Sequence, residues 1–140
     1  MRIGVDIGNV IIGGDGEDTF FTEDYLKTPE VERAWDSLDD LDMAGHELHF
    51  ISKCGLEVEK KTLHWLKQEG FHLHVPLHRT HFVRKRGLKA PMAIALELDI
   101  FIDDRQDVLD WMAGAVPHLI LFTSWEQTNA ELEKIFASNG

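Results

Sequence analysis

The sequence predicts an α/β fold, a parallel sheet with helices between its strands. Three observations carry that prediction. Short apolar runs alternate with stretches of helical periodicity five times along the 140 residues, the pattern of a parallel sheet wound by right-handed crossovers. The first apolar run, Ile3, Val5 and Ile7, carries Asp6 to its end. Far down the chain, Asp99-Ile-Phe-Ile-Asp-Asp104 repeats the design and ends in Asp103 and Asp104. Carboxylates at the carboxyl ends of buried strands lie where open α/β sheets place their chemistry.

The elements follow in order. The first strand is expected over residues 2–7, with Gly8 allowing the close turn after it. Gly13 to Asp18 is rich in Gly and Asp and reads as a hairpin tip. Its acidic part resembles a fragment of a calcium loop but lacks the ligand spacing and the distal Glu. Thr19 to Thr22 is the expected return arm of a small flap. Thr28-Pro29 is a helix start, with Thr as cap and Pro in the first turn. Val31, Ala34, Trp35, Leu38 and Leu41 then recur at helical spacing until Gly45. Glu47 to Ser52 is a strand. Leu56 to Glu69 is a helix stopped by Gly70.

Phe71 to Leu77 alternates as a third strand, with Phe71, Leu73 and Val75 on one face and His72 and His74 on the other. These histidines, with His78 and His81, lack zinc-site partners at recognisable spacing, so an exposed sheet edge is expected. Ala90 to Leu98 is a helix with Pro91 in its first turn, and Asp99 to Asp103 a strand. Asp107 to Ala113 is a short helix, and Pro117 to Phe122 a nearly continuous apolar strand, as buried parallel strands are. Ser124 to Gln127 is a capping box for the last helix. Trp35, Trp65, Trp111 and Trp125 read as core. No repeat and no linker divides residues 1–140, so a single domain is expected.

Composition narrows the functional classes. The chain is 44% hydrophobic and 28% charged with a formal net charge of −11, which reads as a soluble globular protein. That charge opposes a nucleic-acid partner unless a local basic patch supplies one. Residues 79–89, with Arg79, Arg84, Lys85, Arg86 and Lys89, are the candidate, and a solvated loop is the plainer reading. One cysteine, Cys54, excludes an intramolecular disulfide and suits a reducing compartment. The chain enters strand-like sequence at once, and no run approaches the ~20 apolar residues of a membrane span. A cytoplasmic setting is expected.

If the strands ending in Asp6 and in Asp103-Asp104 are neighbours, three carboxylates converge. Like charges resist joint ionisation, and a hard divalent cation, best Mg²⁺, would relieve the repulsion. Asp6-Ile-Gly-Asn-Val10 after an apolar strand resembles the first motif of the haloacid dehalogenase-like superfamily. Ser52, ending the second strand, resembles its second motif. Asp103-Asp104 with Asp107 resembles its acidic fourth motif. Lys89 is the best match for its third-motif lysine, with Lys85 the runner-up and Lys53 a further candidate for the phosphate contact.

The resemblance implies a Rossmann-like three-layer fold with strand order 3-2-1-4-5 and a Mg²⁺-dependent phosphatase acting through an aspartyl-phosphate. Asp6 would be nucleophile and metal ligand. The Gly8 carbonyl and Asp103 would complete the protein ligands, and Asp104 would position metal-bound water or a loop. Ser52 and Lys89 would hold the phosphate oxygens. Asn9, Asp107 and Lys53 would support them, Asn9 by orienting substrate.

Two departures from the family pattern matter. The residue two after the nucleophile, usually a second Asp that shuttles the proton, is Gly8. Losing a general acid costs about 10²–10⁴-fold in rate, so a slow phosphatase is expected, or a silent protein that keeps the fold and binds a partner. No segment is long enough for a cap domain. An open site suits a phosphorylated macromolecule, or a second subunit as lid. Phe20, Phe21 and Tyr25 are candidates for the lining of that site or for such a subunit interface, with packing on the core beneath the flap as the plainer reading. Cys54 reads as a small packed residue, with no His paired to it in sequence.

Overall fold

The computed structural model describes residues 1–13 and 19–139. Five strands, β1 (Arg2–Val5), β2 (Glu47–Lys53), β3 (Thr80–Val83), β4 (Ile100–Asp103) and β5 (His118–Leu121), form one all-parallel sheet in the order β3-β2-β1-β4-β5. The helices are α1 (Ala34–Met43), α2 (Leu56–Gln68), α3 (Lys89–Ala95), α4 (Gln106–Met112) and α5 (Trp125–Asn139). The expected fold class and strand order are both observed.

Right-handed crossovers dictate the layers. The chain steps from β1 to β2 to β3 in one direction, then jumps back over both to β4 and on to β5. Reversing direction moves the connecting helices to the other face. Accordingly α1, α2 and α5 share one core with Ile3, Val5, Leu48, Phe50, Ile100 and Ile102. The second core holds α3 and α4 against Ile51 and Phe101. Alternate residues of β2 and β4 thus point to opposite cores, as the strand period requires. Gly4 is needed on β1 because a Cβ there would lie 2.4 Å from Leu98 Cδ1 and 2.6 Å from Phe101 Cδ1. The switch of direction falls between β1 and β4, where such sheets open a crevice.

Several elements differ from their sequence reading. The third strand is not Phe71–Leu77 but Thr80–Val83, paired in parallel with Phe50–Lys53. Residues Phe71–Leu73 and Leu77–Arg79 are single 3₁₀ turns. Phe71 and Val75 are buried, but Leu73 is 75% exposed, so the alternation is broken at its centre. The stretch breaks into two turns around Pro76, whereas β3, the edge strand beside β2, carries the β-formers Thr80, Phe82 and Val83. His72 and His74 are therefore not on a sheet edge. His74 is buried, with Nδ1 2.8 Å from Asp42, Nε2 3.2 Å from Asp39 and its ring edge-on to Trp35.

Thr28-Pro29 does not start a helix. The segment instead pairs with the loop after β1, Gly13 N donating to Pro29 O (2.8 Å) and Val31 N to Ile11 O (2.8 Å). The turn into α1 comes at Arg33, which has φ 69°. Helix α3 ends at Ala95 rather than Leu98, because Glu97 turns left-handed at φ 55°. Thr19–Phe21 is a 3₁₀ turn and not an extended return arm. The expected hairpin tip and calcium-like fragment fall on residues 14–18, outside the described residues. Trp111 is 53% exposed on α4, so it is not core, unlike the fully buried Trp65 and Trp125. The capping box is observed in one direction, Gln127 N donating to Ser124 Oγ at 3.1 Å. No helix among the described residues is long and apolar enough to cross a membrane.

Candidate active site

The site starts from the turn after β1. Asp6 N donates to Ile102 O (2.9 Å), carrying the β1–β4 pairing one residue further. The amides of Val10, Ile11 and Ile12 then converge on the Ile7 carbonyl at 3.2, 2.8 and 3.1 Å. That tight loop needs one left-handed residue, and it is Asn9, with φ 64°. Asn tolerates this region better than most side chains. The conformational role expected of Gly8 thus belongs to Asn9. A Cβ at Gly8 would meet no atom within 4 Å. Trp125 on α5 fixes the loop from below by donating from Nε1 to Val10 O at 2.9 Å.

The other carboxylates arrive from β4. Asp103 is the last residue of the strand and is wholly buried, and Asp104 follows it, partly exposed. Asp6, Asp103 and Asp104 each present a carboxylate oxygen within 4.8 Å of the others. Lys89 enters from the opposite layer as the first residue of α3. Its buried ammonium donates to Asp6 Oδ1 (2.9 Å) and Asp103 Oδ2 (2.8 Å). Asp103 Oδ1 accepts the Arg105 amide at 3.0 Å, and Asn9 Nδ2 reaches Asp104 Oδ2 at 3.4 Å.

Three carboxylates surround one ammonium, so two negative charges are uncompensated when all are ionised. The consequence is visible in Asp6. Burial pushes its pKa up to about 7; Lys89 opposes that rise, and Asp103 and Asp104 reinforce it. Burial also raises Asp103, against the pull of Lys89. Burial disfavours the Lys89 ammonium, yet the two carboxylates outweigh it and hold its pKa above the ordinary lysine value. Clustered hard oxygen donors with excess negative charge fit a divalent cation such as Mg²⁺.

Ser52 stands at the end of β2, nearly buried, and opens onto a cleft of about 220 Å³ beside the loop. Gly8, Asn9, Lys53 and Cys54 share that cleft with Phe20 and Phe21. Phe20 is buried in the core shared by α1, α2 and α5, whereas Phe21 is 64% exposed at the cleft. Burial pushes the Cys54 thiol pKa up, which leaves it a poor nucleophile.

The structure therefore brings together Asp6, Asp103, Asp104 and Lys89, with Asn9 against Asp104, while Ser52 and Lys53 line the adjacent cleft with Gly8 and Asn9. Asp107 does not join the converging carboxylates. It faces outward, and Arg105 clasps it at 3.1 and 2.9 Å. Of the three candidate lysines, Lys89 is the one that reaches the carboxylates. The sequence reading missed Val58 and Thr62, which form the cleft wall from α2. Their i, i+4 spacing was the available signal.

No family model matches the chain. Over 92 residues it is 30% identical to a Bacillus cereus protein described as "Putative nucleotidase", a match covering 64% of this chain and 47% of that protein. It superposes on a chain of the solved Pnkp1/Rnl/Hen1 complex with a TM-score of 0.62 and 15% identity, covering 87% of this chain and 47% of that one. The latter likeness is one of fold. The chain spans about half the length of both.

Proposed function

We propose that this chain is a Mg²⁺-dependent phosphohydrolase of the haloacid dehalogenase-like type, built without a cap domain. The observation that carries the reading is the buried cluster in which Lys89 bridges Asp6 and Asp103 while Asp104 stands beside them. The nucleotidase description of the partial relative supports it and suggests a nucleoside monophosphate as substrate.

Lys89 takes Asp6 Oδ1, so Oδ2 is the oxygen left to attack phosphorus. The P–O bond to the leaving group breaks as the Asp6–phosphorus bond forms. Water then attacks the phosphorus of the aspartyl-phosphate and returns Asp6 to its carboxylate. Ser52 holds a phosphate oxygen, and Lys89 both orients Asp6 and offsets the charge that develops. Asp6, Asp103 and the Gly8 carbonyl would hold Mg²⁺, with Asp104 positioning its water. When bound, Mg²⁺ neutralises charge between nucleophile and phosphate. Gly8 cannot protonate the leaving group. Turnover is therefore slow for alkyl esters and faster where the leaving group is stable as an anion.

Gly8 also favours a second reading, a silent protein that keeps the fold and works by binding a partner. A thermal shift with beryllofluoride and Mg²⁺ separates the two, because beryllofluoride mimics a phosphorylated Asp6. A further rise in Tm when beryllofluoride is added to the Mg²⁺-loaded protein, absent without Mg²⁺ and lost in Asp6→Asn, is the expected result. A rise with Mg²⁺ alone, unchanged by beryllofluoride, would favour the silent protein.

A further inference from the structure

The cleft beside Ser52 has a chemistry of its own. Gly8 and Ser52 line it together with the apolar side chains of Ile7, Ile12, Phe21 and Val58. Among the described residues that line it, none is Asp or Glu. It measures about 220 Å³. A cavity of ~150 Å³ lined by Leu, Ile and Phe binds benzene, whereas sites for drug-sized ligands run from about 300 Å³ upward. The cleft is therefore sized for one ring and not for a sugar with a base.

Phe21 gives this cleft its aromatic character. The turn that carries it is closed by Thr22, whose amide and hydroxyl both donate to Thr19 O, at 3.1 and 2.7 Å. The buried Phe20 packs edge-on against the Phe21 ring, with centroids 6.1 Å apart and planes at 84°. Phe21 is thus supported from below yet 64% exposed at the cleft. A ring held in this way offers a surface for offset or edge-to-face packing. Gly8 adds an independent constraint. A Cβ there would meet no atom within 4 Å, so the position that would carry a proton donor is open space at the cleft. With no side chain at position 8 to supply a proton, the ester oxygen departs as an anion. An aromatic ring bonded to that oxygen delocalises the charge, and an alkyl group does not.

We propose that the substrate is an aryl phosphate, with the ring on its ester oxygen seated in this cleft against Phe21. This rests on the phosphohydrolase reading and names its substrate class. Asp6 Oδ2 bonds to phosphorus while the P–O bond to the ring oxygen breaks. The electron pair leaves on that oxygen, and the phenolate takes its proton from water. Water then cleaves the aspartyl-phosphate to inorganic phosphate and Asp6. A nucleoside 5′-monophosphate, which the partial relative's description suggests, has an alkyl ester oxygen and a ribose between phosphate and ring. It meets neither constraint. A free phenolic ester and a phosphotyrosyl side chain share the aryl phosphate chemistry.

The test reads binding and turnover separately in wild type, Phe21→Ala and Phe21→Tyr, with Tm as the folding control. Calorimetry in Mg²⁺ compares phenylphosphonate with methylphosphonate, neither of which can be hydrolysed. The expected result is about tenfold tighter binding of phenylphosphonate, lost in Phe21→Ala and kept in Phe21→Tyr. Steady-state rates then compare phenyl phosphate, acetyl phosphate, a nucleoside 5′-monophosphate, and phosphotyrosyl and phosphoseryl peptides of one sequence. Acetyl phosphate releases a stable anion without a ring, so it separates the leaving-group effect from the cleft. The ratio of kcat/KM for phenyl phosphate over acetyl phosphate should fall about tenfold in Phe21→Ala. Preference for the phosphotyrosyl peptide over phenyl phosphate identifies a peptide substrate, and the reverse a free phenolic ester. Equal affinity for the two phosphonates, a ring preference that survives Phe21→Ala, or a lower KM for the nucleotide than for phenyl phosphate would overturn the proposal. Ring-dependent phosphonate binding with no ester hydrolysed would uphold the aryl site while the phosphohydrolase reading falls.

Discussion

Asp6 and Gly8 pose the chemistry at the scale of single residues, and each can be tested alone. Asp6 is a buried carboxylate beside two others, and its pKa of about 7 means that its charge is unwelcome without a cation. Replacing it by the neutral isostere Asn removes the repulsion and keeps the shape. Asp6→Asn should therefore raise Tm by a few degrees in EDTA at pH 8 and abolish turnover. A fall in Tm under those conditions would show that the Lys89 bridge, not the repulsion, dominates. Gly8 is the complementary case. The space at its Cβ is open, and Asn9 carries the strained backbone, so an Asp at position 8 can be accommodated without disturbing the loop. Gly8→Asp should raise kcat on alkyl phosphates by on the order of 10²-fold. The gain should be much smaller on p-nitrophenyl phosphate, whose leaving group departs without a proton. Steady-state rates on the two substrates, with Tm as a folding control, decide this.

The elements show why some of the molecule was legible and some was not. The three carboxylates of the cluster could be named from the sequence because strand ends announce themselves: an apolar run, then a carboxylate. The alternation of five such runs with helices also conveyed the parallel sheet. Phe71–Leu77 misled because its alternating pattern matched a strand better than the true β3, and periodicity says nothing about whether Pro76 could join a ladder. Thr28-Pro29 misled for a related reason. A good local start signal was overridden by pairing with the loop after β1, a contact that no local pattern contains. Lys89 could be preferred over Lys85 only through its motif position, whereas the geometry places it 2.8 and 2.9 Å from two carboxylates. Gly4 is the element-scale residue to test. It leaves room on β1 for Leu98, from the loop after α3, and Phe101 of β4, which a methyl would overlap. Gly4→Ala should cost about 1–3 kcal/mol, measured as a lowered urea midpoint with an unchanged slope.

At the scale of the whole molecule, the proposed Mg²⁺ site would make stability a joint function of pH and metal. In the metal-free folded state Asp6 titrates near pH 7, against 3.8 for an unperturbed Asp. Between those values the folded state holds a proton that the unfolded state has released. Stability from this group is therefore complete below about pH 4 and is lost as pH rises toward 7. Asp103 shifts in the same direction, so part of the slope should survive in Asp6→Asn. On the proposed reading Mg²⁺ should compete with that proton, because it would bind the ionised carboxylates and only in the folded state, where they converge. The difference in Tm between wild type and Asp6→Asn, measured in EDTA from pH 4 to pH 8, should fall through this window and level off above 7. In millimolar Mg²⁺ the fall should shrink, with the metal raising the wild-type Tm little at pH 5 and fully at pH 8. A Mg²⁺ effect of equal size at both values would mean that the ion binds the acidic surface at large and not the Asp6, Asp103 and Asp104 cluster.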